Sequence, residues 1–403
     1  MIPNIARRAP PPAWRDEHVV APTATVYLSG KGERTMKLNR RELLSASALL
    51  LAGPGAVLRA AAKDSGSAGP LVLCWNENPY GPSPAARAAV SQSIAQGCRY
   101  PSDEEIDALT GALAAREGMS ADHIVTATGS GELLRALGLI YGRDGGEIIA
   151  AQPTYEELTG YAQHWGAAMK FVPVDSQLRH DLNAMHAAVT QRTRAIYLCN
   201  PNNPTGTALP AAQIREFVRS LPAPVVTIVD EAYLDFVATG QSGSVADLVT
   251  AGQRVVVLRT FSKIHGMAGL RCGYAIASPG IAANLAAARM TSPNIYAVRA
   301  ARASLDDSGF LRDCRQRILA SRVRITSELT RLKLRYAEPQ GNFVFFDTGM
   351  PLNRFIELMR ARNILVGRLF APYDRWCRIS IGTEPEVTVF LKALSEVSAS
   401  ASA

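Results

Sequence analysis

Three short clusters hold residue types that could do chemistry together. Gly129-Ser130-Gly131 stands before the amphipathic stretch Glu132–Leu139. Small residues there open a helix whose free N–H groups and positive dipole end suit a phosphate. A plain turn with an N-cap reads the same residues equally well. Asp230 closes the apolar run Val225–Val229. A carboxylate withdrawn from water at such a place calls for a cation or a protonated ring nitrogen; a strand-end cap or turn is the alternative. Lys263 follows Ser262 and lies close to His265 and Arg271. A lysine held among cations in a desolvated pocket gives up its proton more easily and becomes nucleophilic toward aldehydes. Alone, it would read as a surface lysine.

Taken together, a phosphate cradle, a carboxylate for a pyridinium nitrogen and an amine for a Schiff base describe pyridoxal 5'-phosphate. Further motifs surround them. Asn76-Glu77-Asn78-Pro79-Tyr80-Gly81-Pro82-Ser83-Pro84 comes first, then Arg99-Tyr100-Pro101, then Asn200-Pro201-Asn202-Asn203-Pro204-Thr205-Gly206. Asp230-Glu231-Ala232-Tyr233 follows, then Ser262-Lys263 through Gly269-Leu270-Arg271-Cys272-Gly273-Tyr274, and finally Arg378-Ile379-Ser380-Ile381-Gly382-Thr383. With these motifs in this order, the chain from about Leu71 to Leu394 resembles the fold-type I pyridoxal-phosphate aminotransferases, and within them the histidinol-phosphate aminotransferase family.

The resemblance implies a role for each matching residue. Lys263 would carry the cofactor and serve as general base and acid, and Asp230 would keep the pyridine nitrogen protonated. Asn203 and Tyr233 would hydrogen-bond the phenolic oxygen, and Tyr155 would stack on the ring. The Ser130 and Gly131 amides, the Ser262 hydroxyl and Arg271 would hold the phosphate, with Tyr100 reaching the phosphate of a neighbouring subunit in a homodimer with shared active sites. Arg378 is the expected anchor for the substrate's anion, with Arg368 as a second clamp and Asn78 as a further substrate contact. The reaction implied moves an amino group between a small-molecule amino donor and a 2-oxo acid such as 2-oxoglutarate. Arg378 does not choose the donor, because a guanidinium suits the phosphate of histidinol phosphate and the carboxylate of an amino acid alike. A decarboxylase or lyase of the same fold, such as the threonine-phosphate decarboxylase family, would use the same cofactor residues. A non-catalytic module would bind the cofactor without converting it.

The elements that must position these residues follow one pattern. Ile124–Thr128, Ala195–Leu198, Val225–Val229 and Val255–Leu258 are short apolar runs, each ending in one of the polar clusters and followed by a helical pattern. Continuous apolar strands alternating with helices predict an α/β fold, with a mostly parallel mixed sheet between helices. Ligands of such sheets bind beyond the carboxyl ends of the strands, where all these clusters lie. The fold-type I resemblance divides the chain into a linker and N-terminal arm over 63–98, a large cofactor-binding domain over 99–297 and a smaller C-terminal α+β domain over 298–397.

The first sixty residues differ in character. Residues 1–35 read as a disordered extension or a mis-called start, and Met36 begins a stretch with the pair Arg40-Arg41, a moderately apolar run and the small-residue exit Ala60-Ala61-Ala62. That order predicts a twin-arginine-like signal peptide over 36–62 and a periplasmic or otherwise exported protein, cytoplasmic if the signal reading fails. Gly53-Pro54-Gly55 interrupts the apolar run, which argues against a stable membrane span. The chain of 403 residues carries a net charge of +8, and residues 1–62, with nine Lys/Arg and four Asp/Glu, supply +5 of it. The remainder is close to neutral and predicts no nucleic-acid partner. Cysteines 74, 98, 199, 272, 314 and 377 include no C-x-x-C, and the six histidines show no ligand spacing, so no metal is expected. His265 reads as a loop histidine.

Overall fold

Apolar runs rich in Val and Ile form strands that bury both faces, and this sequence has several in succession. In the computed structural model, which describes residues 69–238 and 243–401, they assemble into a seven-stranded sheet. Among the described residues the strands are β1 (Leu71–Val72), β2 (Ile124–Ala127), β3 (Glu147–Gln152), β4 (Ala168–Pro173), β5 (Thr193–Cys199) and β6 (Val226–Asp230). They continue with β7 (Val255–Thr260), β8 (Gly273–Ala277), β9 (Phe343–Asp347), β10 (Ile364–Leu365) and β11 (Trp376–Ser380). The extension 1–35, the signal 36–62 and the start of the linker lie outside the described residues.

The large sheet has the order β2-β8-β7-β6-β5-β3-β4. Pairs β4–β3, β3–β5, β5–β6 and β6–β7 are parallel, and only β8 runs against its neighbours β7 and β2. The mixed, mostly parallel sheet is therefore as expected. Its two faces feed two separate cores. Ile196, Leu198, Val229, Val255 and Val257 enter one, whereas Ala195, Tyr197, Ile228, Val256 and Leu258 enter the other. This alternation is the period-two pleat, with apolar residues in both phases because helices cover both faces.

A third core gathers the C-terminal elements. Strand β9 pairs antiparallel with β11, with Arg378 opposite Phe345. The helices Ser308–Arg331, Leu352–Arg360 and Glu384–Ala401 supply Ile318, Ile325, Phe355, Phe390 and Leu394 around them. Strand β1 pairs in parallel with β10, and Leu73 packs into this same core, which fixes the segment Cys74–Asn78 that follows.

Candidate active site

Most of the predicted residues meet around one cavity of about 500 Å³. Ser130, Gly131, Tyr155, Asn203, Asp230, Tyr233, Ser262, Lys263, Arg271, Arg368 and Arg378 line it; Asn78 and Tyr100 do not. The convergence follows from topology. The ends of β2, β3, β5, β6 and β7 and the segments that follow them supply the first eight, the approach to β8 supplies Arg271, β11 supplies Arg378, and the loop between β10 and β11 supplies Arg368.

The cradle is built at the end of β2. Gly129 adopts φ +84°, and a Cβ there would stand 2.5 Å from Arg271 Nη2, so glycine is needed both for the backbone and for the close approach of the guanidinium. The helix Ser130–Gly142 opens directly afterwards. Glu132 fastens the turn: its carboxylate accepts from the Thr128 N–H at 2.8 Å and from the Met290 and Thr291 N–H groups at 2.8 and 2.9 Å. Arg271, itself at φ +63°, donates to the Ala268 carbonyl at 3.0 Å and lies 3.5 Å from Ser262 Oγ.

Asp230 ends β6, buried. Its Oδ1 accepts from the Ala232 N–H at 3.1 Å and its Oδ2 from the Tyr197 hydroxyl at 3.3 Å. Burial pushes its pKa up to about 6, against the pull of those two donors and of Lys263. Lys263 Nζ donates to the Asn76 carbonyl at 3.0 Å, and burial, helped by Arg378, lowers its pKa to about 8. Tyr233 Oη accepts from Asn76 Nδ2 at 3.2 Å and Asn203 Nδ2 at 3.3 Å. Two donors already face that oxygen, which leaves its own proton for a third partner.

The run Asn200–Gly206 shows why three asparagines are needed. Asn200 is tied to Leu209 through both amide atoms, and Asn202 donates to the Pro153 carbonyl at 3.0 Å and accepts from Thr154 Oγ1 at 2.8 Å. These two brace the loop, so that Asn203 is the one left in the cavity wall. Gly266 plays a comparable part, because a Cβ on it would collide with the Gly81 carbonyl. The opening motif thus seats the Lys263 loop.

Arg378 is 8 % exposed. It donates to Asn203 Oδ1 and to the Cys74 carbonyl, both at 2.6 Å, while its Nε–H has no partner among the described residues. Its guanidinium lies 5.0 Å from the Phe370 ring centre. Among the described residues no carboxylate pairs with it, and burial lowers its pKa. Arg368, by contrast, forms an ion pair with Glu156.

One expectation needs correction. Asn78 does not line the cavity: its Nδ2 donates to the Ile264 carbonyl at 2.8 Å, bracing the loop behind Lys263, and its Oδ1 accepts from the Tyr80 N–H at 3.1 Å within its own turn. Tyr100, expected to serve a neighbouring subunit's site, is 95 % exposed and stands outside its own chain's cavity. His265 lies on the loop between β7 and β8, as read from the sequence, and is buried there, with Nδ1 at 2.7 Å from Ser304 Oγ and its ring against Phe261. The sequence reading also passed over Asn76 and Tyr197. Asn76 lay inside a quoted motif, but its contact with Tyr233 spans 157 residues; Tyr197 looks like any apolar strand residue.

The arrangement fits pyridoxal phosphate on its own terms. A buried carboxylate without a paired cation, a hydroxyl with an uncommitted proton, an amine near neutrality and a glycine-lined helix start each match one part of that molecule. The comparisons agree. The family described as aminotransferase class I and II matches residues 68–394. The chain is 35 % identical over 348 residues to a histidinol-phosphate aminotransferase of Moorella thermoacetica, covering 85 % of this chain and 89 % of that one. It is 37 % identical over 325 residues to an aromatic amino acid aminotransferase of Rhodococcus jostii, covering 80 % and 89 %. The crystal structure of histidinol-phosphate aminotransferase from Sinorhizobium meliloti in complex with pyridoxal-5'-phosphate superposes with a TM-score of 0.77 at 28 % identity, over 91 % of this chain and 100 % of that one. The chain belongs to the class I and II aminotransferases and is a pyridoxal-phosphate-dependent transaminase of the histidinol-phosphate aminotransferase-like kind.

Proposed function

We propose that this transaminase takes an amino group from a donor anchored at Arg378 and passes it to a 2-oxo acid such as 2-oxoglutarate. The donor falls within the range spanned by the relatives' names, from histidinol phosphate to an aromatic amino acid. The observation that carries this reading is one cavity shared by a half-buried lysine, a buried aspartate and a buried arginine without a carboxylate partner among the described residues. Bound pyridoxal phosphate supplies an aldehyde for the donor's amine and a ring that withdraws electrons from its Cα. Asp230 holds the ring nitrogen protonated, Asn203 and Tyr233 donate to the phenolic oxygen, and Tyr155 covers a ring face. Arg271, the Ser262 hydroxyl and the Ser130 and Gly131 amides hold the phosphate. Arg378 holds the donor's anion, so that the Cα–H bond is directed toward Lys263. With the cofactor bound, Lys263 Nζ would act as general base and acid, taking up the donor's Cα proton and giving it back. Turnover of a donor panel with 2-oxoglutarate tests the assignment: glutamate is expected with the native chain and not with Lys263→Ala, and normal turnover by that variant would overturn it.

We also infer a homodimer in which Tyr100 serves the partner's site; its exposure, together with the family resemblance, supports this. Light scattering should give twice the chain mass, and Tyr100→Phe should weaken cofactor retention. A fully active monomer would end the reading. The run from Arg40-Arg41 to Ala60-Ala61-Ala62 supports export by a twin-arginine-like route. Sequencing the N-terminus of the protein from a periplasmic fraction should start near residue 63, and an intact N-terminus in the cytoplasm would refute export.

A further inference from the structure

Beside Arg271, two arginines line the cavity, and their situations differ. Arg378 is buried, and among the described residues its Nε–H has no partner and no carboxylate pairs with it. Arg368 already has a carboxylate partner. It pairs with Glu156, donates to the Leu369 carbonyl at 3.0 Å, and its guanidinium carbon lies 4.5 Å from the Phe370 ring centre. Both members of the Arg368–Glu156 pair are more than half exposed, so the pair can open, but it stands across the cavity wall while closed.

The charge of the whole cavity points the same way. Lys263, Arg271, Arg368 and Arg378 face Glu77, Glu156, Glu157 and Asp230, so cations and carboxylates are equal in number. Glu157 is held by Arg135 from outside the wall, at 2.6 Å. The cofactor's phosphate would add up to about two further negative charges beside Arg271. One unengaged cation is then left for a donor, and it matches one anionic group. A phosphomonoester, with a charge of about −1.5 to −2 at neutral pH, would have to separate Arg368 from Glu156 and lie against the released carboxylate. The remaining wall contains Trp75, Tyr155 and Phe370, which suit an apolar or aromatic side chain.

We propose that Glu156, by holding Arg368, makes the site select amino donors with a single anionic group and an uncharged, apolar side chain over phosphomonoester donors. This rests on the reading of Arg378 as the anion anchor. The test compares kcat/KM for L-phenylalanine and for L-histidinol phosphate, each with 2-oxoglutarate. The native chain should prefer phenylalanine at least tenfold. Glu156→Gln should shift the ratio at least fivefold toward histidinol phosphate through a lower KM for that donor, and adding Arg368→Gln should cancel the shift. Calorimetry supplies a readout that general damage to the fold would not produce: Glu156→Gln should tighten binding of histidinol phosphate relative to unphosphorylated histidinol. A native preference for histidinol phosphate, or an unchanged ratio in Glu156→Gln, would overturn the proposal. Arg378→Gln separates the two failures. If it leaves the KM of both donors unchanged, the anchor reading itself fails and the proposal falls with it.

Discussion

Arg378 Nη1 donates to Asn203 Oδ1 at 2.6 Å, and that contact decides which way the Asn203 amide faces. A guanidinium has donors only, so the atom it meets must be the carbonyl oxygen. The amide nitrogen is thereby turned toward Tyr233 Oη, 3.3 Å away. The residue proposed to bind the donor's anion thus also orients a residue proposed to bind the cofactor's phenolic oxygen.

The first prediction follows from that double role. Arg378→Lys keeps a charge but loses the fork that reaches both Asn203 and the Cys74 carbonyl. Losing one charge-assisted bond costs about 1.5–3 kcal/mol, so kcat/KM should fall roughly 10- to 100-fold, with donor KM rising. The absorbance of the bound cofactor should shift as well, because the Asn203 amide is freed to turn. A rise in KM with an unaltered spectrum would show that the two functions are not linked.

How far the site could be read in advance depended on where each residue lies relative to its partners. Strand ends could be located from sequence because β-branched runs stop at polar clusters, and the rule for parallel sheets sends those clusters to one edge. Asp230 and Lys263 stand out in this way, whereas the role of Asn203 comes from the family resemblance. Asn78 was misjudged because a motif names its residues without distinguishing one that faces the ligand from one that braces the loop behind it. Glu156 could not be singled out, since its partner Arg368 lies 212 residues away and the pairing exists only once β10 and β11 are in place. Tyr197 was indistinguishable from its apolar neighbours until β5 and β6 were registered with Cys199 opposite Asp230.

A second prediction concerns pH. Burial lowers the Lys263 pKa to about 8, so the neutral, nucleophilic amine grows tenfold per pH unit below that value and levels off above it. Added pyridoxal phosphate should become fixable to the cofactor-free chain by borohydride at a rate that rises from pH 6 and flattens above 8. An ordinary lysine would keep accelerating to beyond pH 10, and that profile would contradict the lowered value.

A third prediction tests the cradle. Glu132 accepts three backbone N–H groups, one in the turn before the cradle and two across the gap at Met290 and Thr291. In Glu132→Gln only one amide oxygen remains to accept, so at least one N–H loses its partner. Affinity for pyridoxal phosphate should drop about tenfold, the effect of losing roughly one bond to a charged group, whereas binding of unphosphorylated pyridoxal should change little. Gly129→Ala should be more severe, through its φ of +84° and the contact of its Cβ with Arg271. Equal losses for both ligands would place the damage outside the phosphate cradle.

The last prediction concerns Tyr197, fully buried on β5 with its hydroxyl on Asp230 Oδ2. That donor favours the ionised carboxylate, while burial opposes ionisation and has already lifted the pKa to about 6. In Tyr197→Phe the pKa should rise further. The sign of the stability effect then follows from proton counting. Below about pH 4 the carboxyl is protonated in folded and unfolded chains alike, and the variant should match the native chain at this site. From there to about pH 6 both folded chains keep the proton that the unfolded chains release, and they lose stability in step. Above about pH 6 the native carboxyl ionises while the variant's does not, so the cofactor-free variant should fall behind, reaching a deficit of about 1 kcal/mol at pH 7.5. A bound pyridinium would offset the deficit by restoring an ion pair. Pyridoxal phosphate should therefore raise the melting temperature of Tyr197→Phe, whereas an analogue with carbon in place of the ring nitrogen should leave most of the deficit. If both compounds raised it equally, Asp230 would not be paired with the ring nitrogen, and Tyr197 would be acting only through packing.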